Sequence, residues 1–507
     1  MIKPYFFSNK KKFLIFLYVD NNKTMKKVCF FVSFLRQIVL LWVYFCQKKK
    51  TMENTENTSQ AMHLLAEAHR AWERMRPLRE KRERNKNYTY GNQWCDMMTD
   101  EHGQRVSEWQ HLRDNGKDPL TNNLIRQLVK SVVGRFRSRL AAEPAPAEPL
   151  HGNLVGELDS RLMEEFLISG CCFQRIDFGE EGRVALSNVS PSQMLFRGGD
   201  DPRCRDFDLV GQLHDMPLAT LVERLSDGSR TRALDICRHY QTQPDAVDSG
   251  TADFFRSGKP GRVRVVELWR RESREGYDCH NRRTGEWFFQ PGTPEEPVHD
   301  PDIDRRWELR HVWRCYWLSP DGTVLSQYDS PYGHGSHPFA LKLYPLTDGE
   351  VHSMVEDVID QQKYVNRLVT LVDHVMGASA KGVLLYPDNI LPEGFTWNDL
   401  RYAWSKPNGI VPYHPRGGND RPEQVSGNAT NIGAYEMVNL QMRLFEQISG
   451  VSGALQGQAS AGTTGAQLYE SQVSNSTIAL GDIFETFDSF RRERDRKAAK
   501  VRCVKKL

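Results

Sequence analysis

Three features of the sequence predict an α+β fold. From Glu350 to Lys500 the chain reads helix, interruption, helix, glycine-rich loop, long helix. Upstream, Val263–Arg270, Trp287–Gln290, His311–Leu318 and Thr323–Tyr328 are rich in β-branched and aromatic residues and alternate, as an antiparallel sheet with one wet face requires. Between them and the N-terminus, a helical pattern at Leu154–Ser169 stops at Gly170, and Phe173–Phe178 with Arg183–Asn188 reads as a hairpin across Gly179–Gly182. At 507 residues, 39% hydrophobic and 26% charged, the chain can bury substantial cores in about two to four domains.

Residues 1–51 differ from the rest. They hold 11 Lys/Arg against Asp20 alone, a net +10. The whole chain has 68 basic and 65 acidic residues, so the remainder has 57 and 64, a net −7. A mildly acidic body argues against a broad DNA-gripping basic surface. Within 1–51, an apolar run from Val28 to Phe45 is interrupted by Arg36 and Gln37. Three readings stand. Translation starts at Met52 and the preceding residues are a mis-annotated extension; or the run is an apolar anchor with Arg36 awkwardly placed in the bilayer; or it is a signal peptide, against which no small-residue cleavage site follows. The first is favoured. Ten cysteines show no C-x-x-C spacing and read as reduced thiols, not zinc ligands.

Gln60–Arg84 has helical periodicity and ends in the run Arg79-Glu80-Lys81-Arg82-Glu83-Arg84. That run reads as a solvated face, with a DNA or tail-protein contact as the alternative. Tyr88, Tyr90, Trp94 and Trp109 read as core aromatics. Asn122–Leu140 is a helix with Leu124, Ile125, Leu128, Val132, Val133 and Phe136 inward and Arg126, Lys130, Arg135, Arg137 and Arg139 outward. The stretch Pro144–Pro149 ends it as a stiff connector. Val189–Phe196 and Leu209–Leu213 with the helix Leu218–Leu225 continue the α+β layer, and Ser229–Pro260 reads as a polar loop. Cys279-His280 and His311 lack a second ligand cluster, so a metal or nuclease centre is not expected there.

The first long helix is expected over Glu350–Met376, with Val355, Val358, Ile359, Val365, Val369 and Val372 among its apolar positions, and would run roughly 40 Å. In Ala380–Ser426, Gly382–Tyr386 and Gly409–Tyr413 read as strands and Asn398–Ala403 as a short helix, with Trp397, Tyr402 and Trp404 nearby. A second helix, about Ile432–Ser449, carries Tyr435, Val438, Met442, Phe445 and Ile448 on one side. Gly450, Gly453, Gly457, Gly462 and Gly465 then break the chain. A third helix, capped by Thr463 or Thr464, runs towards Lys500 with Leu480, Ile483, Phe484, Phe487 and Phe490 inward. Its last turns, Arg491-Arg492-Glu493-Arg494-Asp495-Arg496-Lys497, leave an apolar face with no visible partner segment. The ending therefore reads as a truncated or frameshifted frame.

Taken together, these stretches resemble the portal (head-to-tail connector) proteins of double-stranded DNA bacteriophages, of the short-tailed-phage type. The likeness rests on His337-Pro338-Phe339, Asp348-Gly349-Glu350, Asp360-Gln361-Gln362 with Asn366, Ile448-Ser449-Gly450-Val451-Ser452, Gly457-Gln458, Thr464-Gly465-Ala466 and Ile483-Phe484-Glu485-Thr486-Phe487. It covers roughly Tyr88 to the end. The resemblance implies a wing-like α+β domain over 52–349, stem helices at 350–379 and 427–449, a clip-like insertion at 380–426, a tunnel loop at 450–465 and a long helix at 466–507, with the crown absent. It implies a dodecameric ring in the virion's portal vertex, assembled in the host cytoplasm. Through that ring DNA is packaged and ejected, with terminase, a tail adaptor and the major capsid or scaffolding protein as partners.

Double-stranded DNA would pass the channel without sequence-specific binding. Gly453, Gln456, Gly457, Gln458, Ser460, Gly462 and Thr463 are the channel-loop candidates, and Trp397, Tyr402 and Trp404 the clip docking candidates. A plain flexible connector and a small self-contained insertion are the bland alternatives. No cofactor or metal is expected. An enzyme is disfavoured: there is no P-loop, no G-x-S-x-G and no H-E-x-x-H, and Gly258-Lys259 lacks the upstream glycine. The alternative of another class is a membrane-anchored structural scaffold built on residues 1–51.

Overall fold

The computed structural model describes residues 59–501 except 116, 144–149, 151, 180–182, 202, 242–252, 293–301, 348, 382, 406–410, 414–421, 426–431, 452–477 and 479. The readings of the segment 1–51, the proline connector, the loop 453–463 and the start of the third helix fall outside these residues.

The first helical pattern is split. Residues 59–74 form α1, Met75 is a turn, and α2 is Arg76–Tyr90. Pro77 lies in the first turn of α2, where its missing N–H is harmless, whereas inside one continuous helix it would break the ladder. The charged run on α2 is not simply solvated. Arg82 makes a two-pronged pair with Glu165 (2.6 and 2.8 Å), Arg84 pairs with Asp96, Lys81 with Glu356, and Arg79 lies over the Trp72 ring at 3.5 Å. Of the four aromatics that follow, Tyr88 and Trp94 are core while Tyr90 and Trp109 are exposed.

After the short hairpin β1 (Met97–Thr99) and β2 (Arg105–Ser107) and the helix α3 (Glu108–Asp114), α4 spans Leu124–Ala141. Asn123 caps α4 by accepting from the Arg126 N–H. Helix α5 (Val155–Ser169) ends at Gly170, whose φ of 69° is left-handed. A Cβ there would also sit 2.6 Å from Val351 Cγ1, so both conformation and space require glycine. The expected hairpin follows as β3 (Cys171–Phe178) and β4 (Val184–Asn188), and β11 (Phe339–Leu343) pairs on the other side of β3.

The larger sheet has the order β10-β9-β7-β6-β5, with β8 also on β7. Its strands are β5 (Met194–Arg197), β6 (Leu209–Met216), β7 (Val263–Asn281), β8 (Trp287–Pro291), β9 (Ile303–Leu318) and β10 (Val324–Asp329). Val189–Phe196 is a strand only from Met194, because Pro191–Gln193 is a 3-10 turn started by the Ser190 side chain. Strands β7 and β9 run well past their expected ends, pairing without a break from Val266↔Leu318 to Asn281↔Ile303. Their outer halves leave the body as an exposed two-strand ribbon with β8 on one edge. Ser229–Pro260 is not all loop: besides α6 (Leu218–Leu225), α7 forms over Arg230–Gln241. Ile236 and Tyr240, one helical step apart, bury the same face, and Tyr240 Oη donates to the Arg264 carbonyl.

Helix α8 is Met354–Lys381 and starts later than expected. Glu350–Val351 pairs with Leu346–Thr347 as β13 and β12, and the Ser353 hydroxyl accepts from the Glu356 N–H to open the helix. Beyond it come β14 (Val383–Leu385), α9 (Trp397–Ser405), β15 (Glu423–Val425) and α10 (Ile432–Ser449), which packs along α8. The final helix α11 is Gly481–Ala499. Leu480, just before it, lies in a turn, and the expected start at Thr463 or Thr464 lies outside the described residues.

The apolar face of α11 does find partners. Phe484 and Phe487 pack on Phe136 of α4, and Phe487 on Phe166 of α5. The basic run is also partnered: Arg494 and Arg491 both donate to buried Asp159, and Arg491 also to Glu143.

One face of α8 is stitched to the body by buried polar side chains. Gln362 Oε1 accepts from the Leu124 and Ile125 N–H groups (2.8 and 3.2 Å), and its Nε2 donates to the Asn122 carbonyl and to Asn366. Asn366 accepts from the Asn122 N–H and donates to Gln93, and Thr370 Oγ1 accepts from the Leu120 N–H. Within the large sheet, buried Glu267 accepts from Arg175 and Trp269 and lies 2.7 Å from His214 Nε2. Burial alone would raise the Glu267 carboxyl, but Arg175 and His214 hold it well below the usual carboxylate range.

Replacing Gln362 with Leu strands the buried Ile125 N–H, while the Leu124 N–H and the Asn122 carbonyl keep each other at 3.0 Å, so the unfolding free energy read from the urea midpoint should fall by roughly 1–3 kcal/mol. A wild-type midpoint would show that the clamp contributes nothing. For Glu267, a depressed folded pKa gives stability that is present above the unfolded value, about 4.3, and is lost as pH falls through the folded one. Glu267→Gln should therefore flatten the decline of unfolding free energy below about pH 4, and urea titrations across acidic pH would read that slope.

Candidate assembly surface

The segment between α8 and α10 folds as a small unit of its own. The expected strand at Gly382–Tyr386 is present as Val383–Leu385, and it pairs antiparallel with Glu423–Val425, which is not an expected strand. Residues 411–413 lie outside any strand, and they are held instead by Tyr386 Oη donating to the Pro412 carbonyl at 2.7 Å. Helix α9 begins with a capping box. The Thr396 hydroxyl accepts from the Asp399 N–H, and Asp399 Oδ2 accepts from the Thr396 N–H at 2.9 Å. The Thr396 hydroxyl also donates to Asp399 Oδ2 at 2.7 Å, and that bond, with the one from the Thr396 N–H, lowers the Asp399 carboxyl.

The docking candidates all lie on α9. At about 100° per residue, Trp397 and Trp404 share a face and Tyr402 points elsewhere. Trp397 is 51% and Tyr402 63% exposed, while Trp404 is half-buried. Among the described residues, the unit's buried apolar side chains are Ile390 and Leu400. Among these residues, then, Trp397 and Tyr402 stand at the surface of the unit and Trp404 is partly covered. The channel-loop candidates Gly453, Gln456, Gly457, Gln458, Ser460, Gly462 and Thr463 lie outside the described residues. On the near side of that loop, Gly450 takes a left-handed φ of 67° to end α10, and Val451 is buried.

The helical pair shows what the sequence pattern did not. Of the described side chains of α10, only Phe445 and Ser449 are buried. Tyr435, Met442 and Ile448, placed by periodicity on one side of the helix with Val438 and Phe445, are exposed. A second stripe runs along α10 at i, i+3, i+7 and i+11: Met437 (41% exposed), Leu440 (48%), half-buried Leu444 and Ile448 (47%). Helix α8 has a counterpart. Its buried face carries Val355, Val358, Ile359, Gln362, Val365 and Asn366, and the opposite face carries Tyr364, Leu368, Leu371 and Val375 at i, i+4, i+7 and i+11. Tyr364 and Leu371 are exposed. An i, i+3/i+4, i+7 search for two faces per helix would have found both stripes.

Charge on this surface is mixed, with Glu436, Arg443 and Glu446 exposed on α10. The cations of α8 nearest the body are consumed internally. Lys363 donates to Asp96 at 2.7 Å and Arg367 to Glu108 at 2.5 Å. Burial would raise Asp96, but hydrogen bonds from Arg84 and Lys363 hold its carboxyl well below the ordinary range.

The other residues with reactive side chains do not converge. His311 faces Ser273 on the β7–β9 ribbon and His280 lies seven residues further along β7, roughly 23 Å away. Cys279 is buried beside Tyr277. Among the described residues no three His, Cys, Asp or Glu side chains gather as a metal site, and Cys95, Cys171, Cys172, Cys204, Cys237, Cys279 and Cys315 are free thiols. No helix among the described residues is long and apolar enough to cross a membrane, and the run Val28–Phe45 lies outside them.

Leu400→Ala should cost about 2–5 kcal/mol in the melting of the small unit. Trp397→Ala should stay within about 0.5 kcal/mol, because its ring is half in water. Equal costs would make Trp397 a core residue and not a surface for a partner.

A family model described as phage P22-like portal protein matches residues 159–500, about two thirds of the chain. No curated protein matches.

Proposed function

The chain belongs to the phage P22-like portal protein family, and on that premise we propose that it is a ring subunit whose α8–α10 pair forms the stem. The family is structural, and the protein's role is that of a phage portal. In this reading residues 52–349 are the wing, 380–426 the clip, and 450–465 a loop that reaches the passing DNA. Trp397 and Tyr402 on α9 face a terminase or tail adaptor. Helix α11, packed into the body through Phe484, Phe487 and Phe490, ties the chain beyond the loop back to the wing.

The observation that carries this reading is the pair of open apolar stripes on α8 and α10. A helix that is apolar on two faces needs two partners. Here one face of each helix is covered by the chain itself, and the second is open to water at Tyr364, Leu371, Met437, Leu440 and Ile448, with Leu368, Val375 and Leu444 half-buried between them. In a ring each subunit offers one surface to the neighbour on its left and a different one to the right. Two non-equivalent stripes, Tyr364–Val375 and Met437–Ile448, suit that heterologous contact. The mixed charge of the exposed helix faces suits a duplex that must slide, since a continuous basic wall would hold phosphates and release them only at high salt.

A double variant, Leu371→Glu with Leu440→Glu, tests the reading. Both side chains are already exposed, so the thermal melt of the isolated subunit should be unchanged. Sedimentation velocity and negative-stain images should show rings for the wild-type chain and monomers for the variant. Rings of undiminished yield from the variant would rule out these stripes as the subunit contact.

A further inference from the structure

Where the end of α11 meets the body, a cleft of about 290 Å³ is lined by Arg205, Arg271, Arg496, Lys497 and Lys500, with Glu493 as its one acid. Arg496, Lys497 and Lys500 alone would be ordinary last-turn cations, favoured by the helix dipole. Arg205 and Arg271 are different: they come from the loop before β6 and from β7, and they converge on the same cleft. Among the described residues Arg205, Arg271 and Lys500 have no carboxylate partner, while Arg496 is paired with Glu493. Five cations against one acid, drawn from three segments, is an unusual concentration in a body that is net acidic.

The cleft also contains a polar atom with no partner. His334 Nδ1 accepts from the Ser336 N–H at 3.1 Å, which fixes the neutral ring with its proton on Nε2. That Nε2 is buried and has no hydrogen-bond partner. His337, next along the loop, is fixed the same way, its Nδ1 accepting from the Phe339 N–H. Both rings are kept neutral, His334 at about 4 by burial and then by Lys497, and His337 well below its usual value for the same reasons. A neutral ring carrying an unsatisfied N–H can donate but cannot repel a cation. Lys497 is anchored by donating to the Phe339 carbonyl at 2.7 Å, and burial lowers it to about 8. A Cβ on Gly333 would lie 2.5 Å from the Lys500 carbonyl, so the loop and the helix end are in direct contact.

We propose that this cleft binds a phosphate group, with the Arg205, Arg271 and Lys500 side chains and the His334 N–H supplying the donors. Guanidinium groups match phosphate oxygens with paired hydrogen bonds, and a buried N–H without a partner is costly until an acceptor arrives. The volume suits a phosphate and its adjoining atoms but is small for a larger organic ligand. The chemistry is shared by a nucleic-acid backbone and by a free phosphate or nucleotide. The inference does not depend on ring assembly, because every lining residue belongs to one chain.

Thermal melts of the full chain in sodium phosphate and in sodium chloride of equal ionic strength provide the test. Phosphate should raise the melting temperature of the wild type above its value in chloride. Arg271→Gln with Lys500→Gln, both exposed side chains, should abolish that difference and weaken phosphate binding in calorimetry on the order of tenfold or more. The variant's melt in chloride reports whether it folds, and Arg205→Gln alone provides a second, milder loss. No phosphate-specific rise in the wild type, or an equal rise in the double variant, overturns the proposal. Anisotropy of a short labelled DNA duplex then separates the sources. Weaker duplex binding by the double variant assigns the site to a backbone phosphate; unchanged duplex binding beside a lost phosphate response assigns it to a free phosphate or nucleotide.

Discussion

The structure depends on how a long helix is fastened to a mixed α/β body through polar groups. Gln362, Asn366 and Thr370 lie one above another along α8, four residues apart, and all three are buried. They satisfy the N–H groups of Leu120, Asn122, Leu124 and Ile125 just where α4 begins. The start of a helix always leaves N–H groups without intrahelical partners. Here a second helix supplies the acceptors. An apolar stripe could slide along the body by a turn at modest cost. A buried amide ladder cannot, because a shift strands donors and acceptors away from water. The clamp therefore sets both the register and the direction in which α8 leaves the body.

Helix α11 is fixed by a similar principle with charge added. Asp159, fully buried on α5, is met by Arg494 and Arg491, and Gln174 of β3 reaches both Asp159 and Asn188. Burial is the largest influence on Asp159 and raises its carboxyl, opposed by the two arginines. Such a pair adds little net stability over an apolar replacement, yet losing one partner is costly. Its effect is to hold α11 in a single rotation, so that Phe484, Phe487 and Phe490 face α4 and α5. The Glu267–Arg175–His214 cluster does the same between the two sheets, since Arg175 is on β3 and Glu267 on β7.

These internal fastenings explain why the surface of the α8–α10 pair can be apolar. The body-proximal half of α8 is held by polar contacts, and α10 by little more than Phe445, Ser449 and its packing on α8. The remaining apolar side chains are free to serve contacts between chains. The same division applies at the far side of the body. There the end of α11, the loop at His334 and the β7 arginine meet, and cations accumulate, of which Arg496 is paired with Glu493 while Arg205, Arg271 and Lys500 have no carboxylate partner among the described residues.

Periodicity, turn chemistry and composition determined much by themselves. The α+β class, α6, α10, the β3–β4 hairpin, four of the six strands of the large sheet, the stop at Gly170 and the inward phenylalanines of α11 follow from local spacing, and local spacing is written in the sequence. The quoted portal-like motifs carried the family. Tertiary structure alone decided three other things. It made a helix of Arg230–Gln241, where only burial of Ile236 and Tyr240 outweighs polar composition. It paired β14 with Glu423–Val425, because strand partners are chosen across space. It also turned the basic run of α2 and of α11 into internal ion pairs and left Tyr435, Met442 and Ile448 in water. A sequence shows that a residue is apolar or charged. Which surface covers it depends on neighbours far along the chain, because burial is decided by packing across space and not by local spacing.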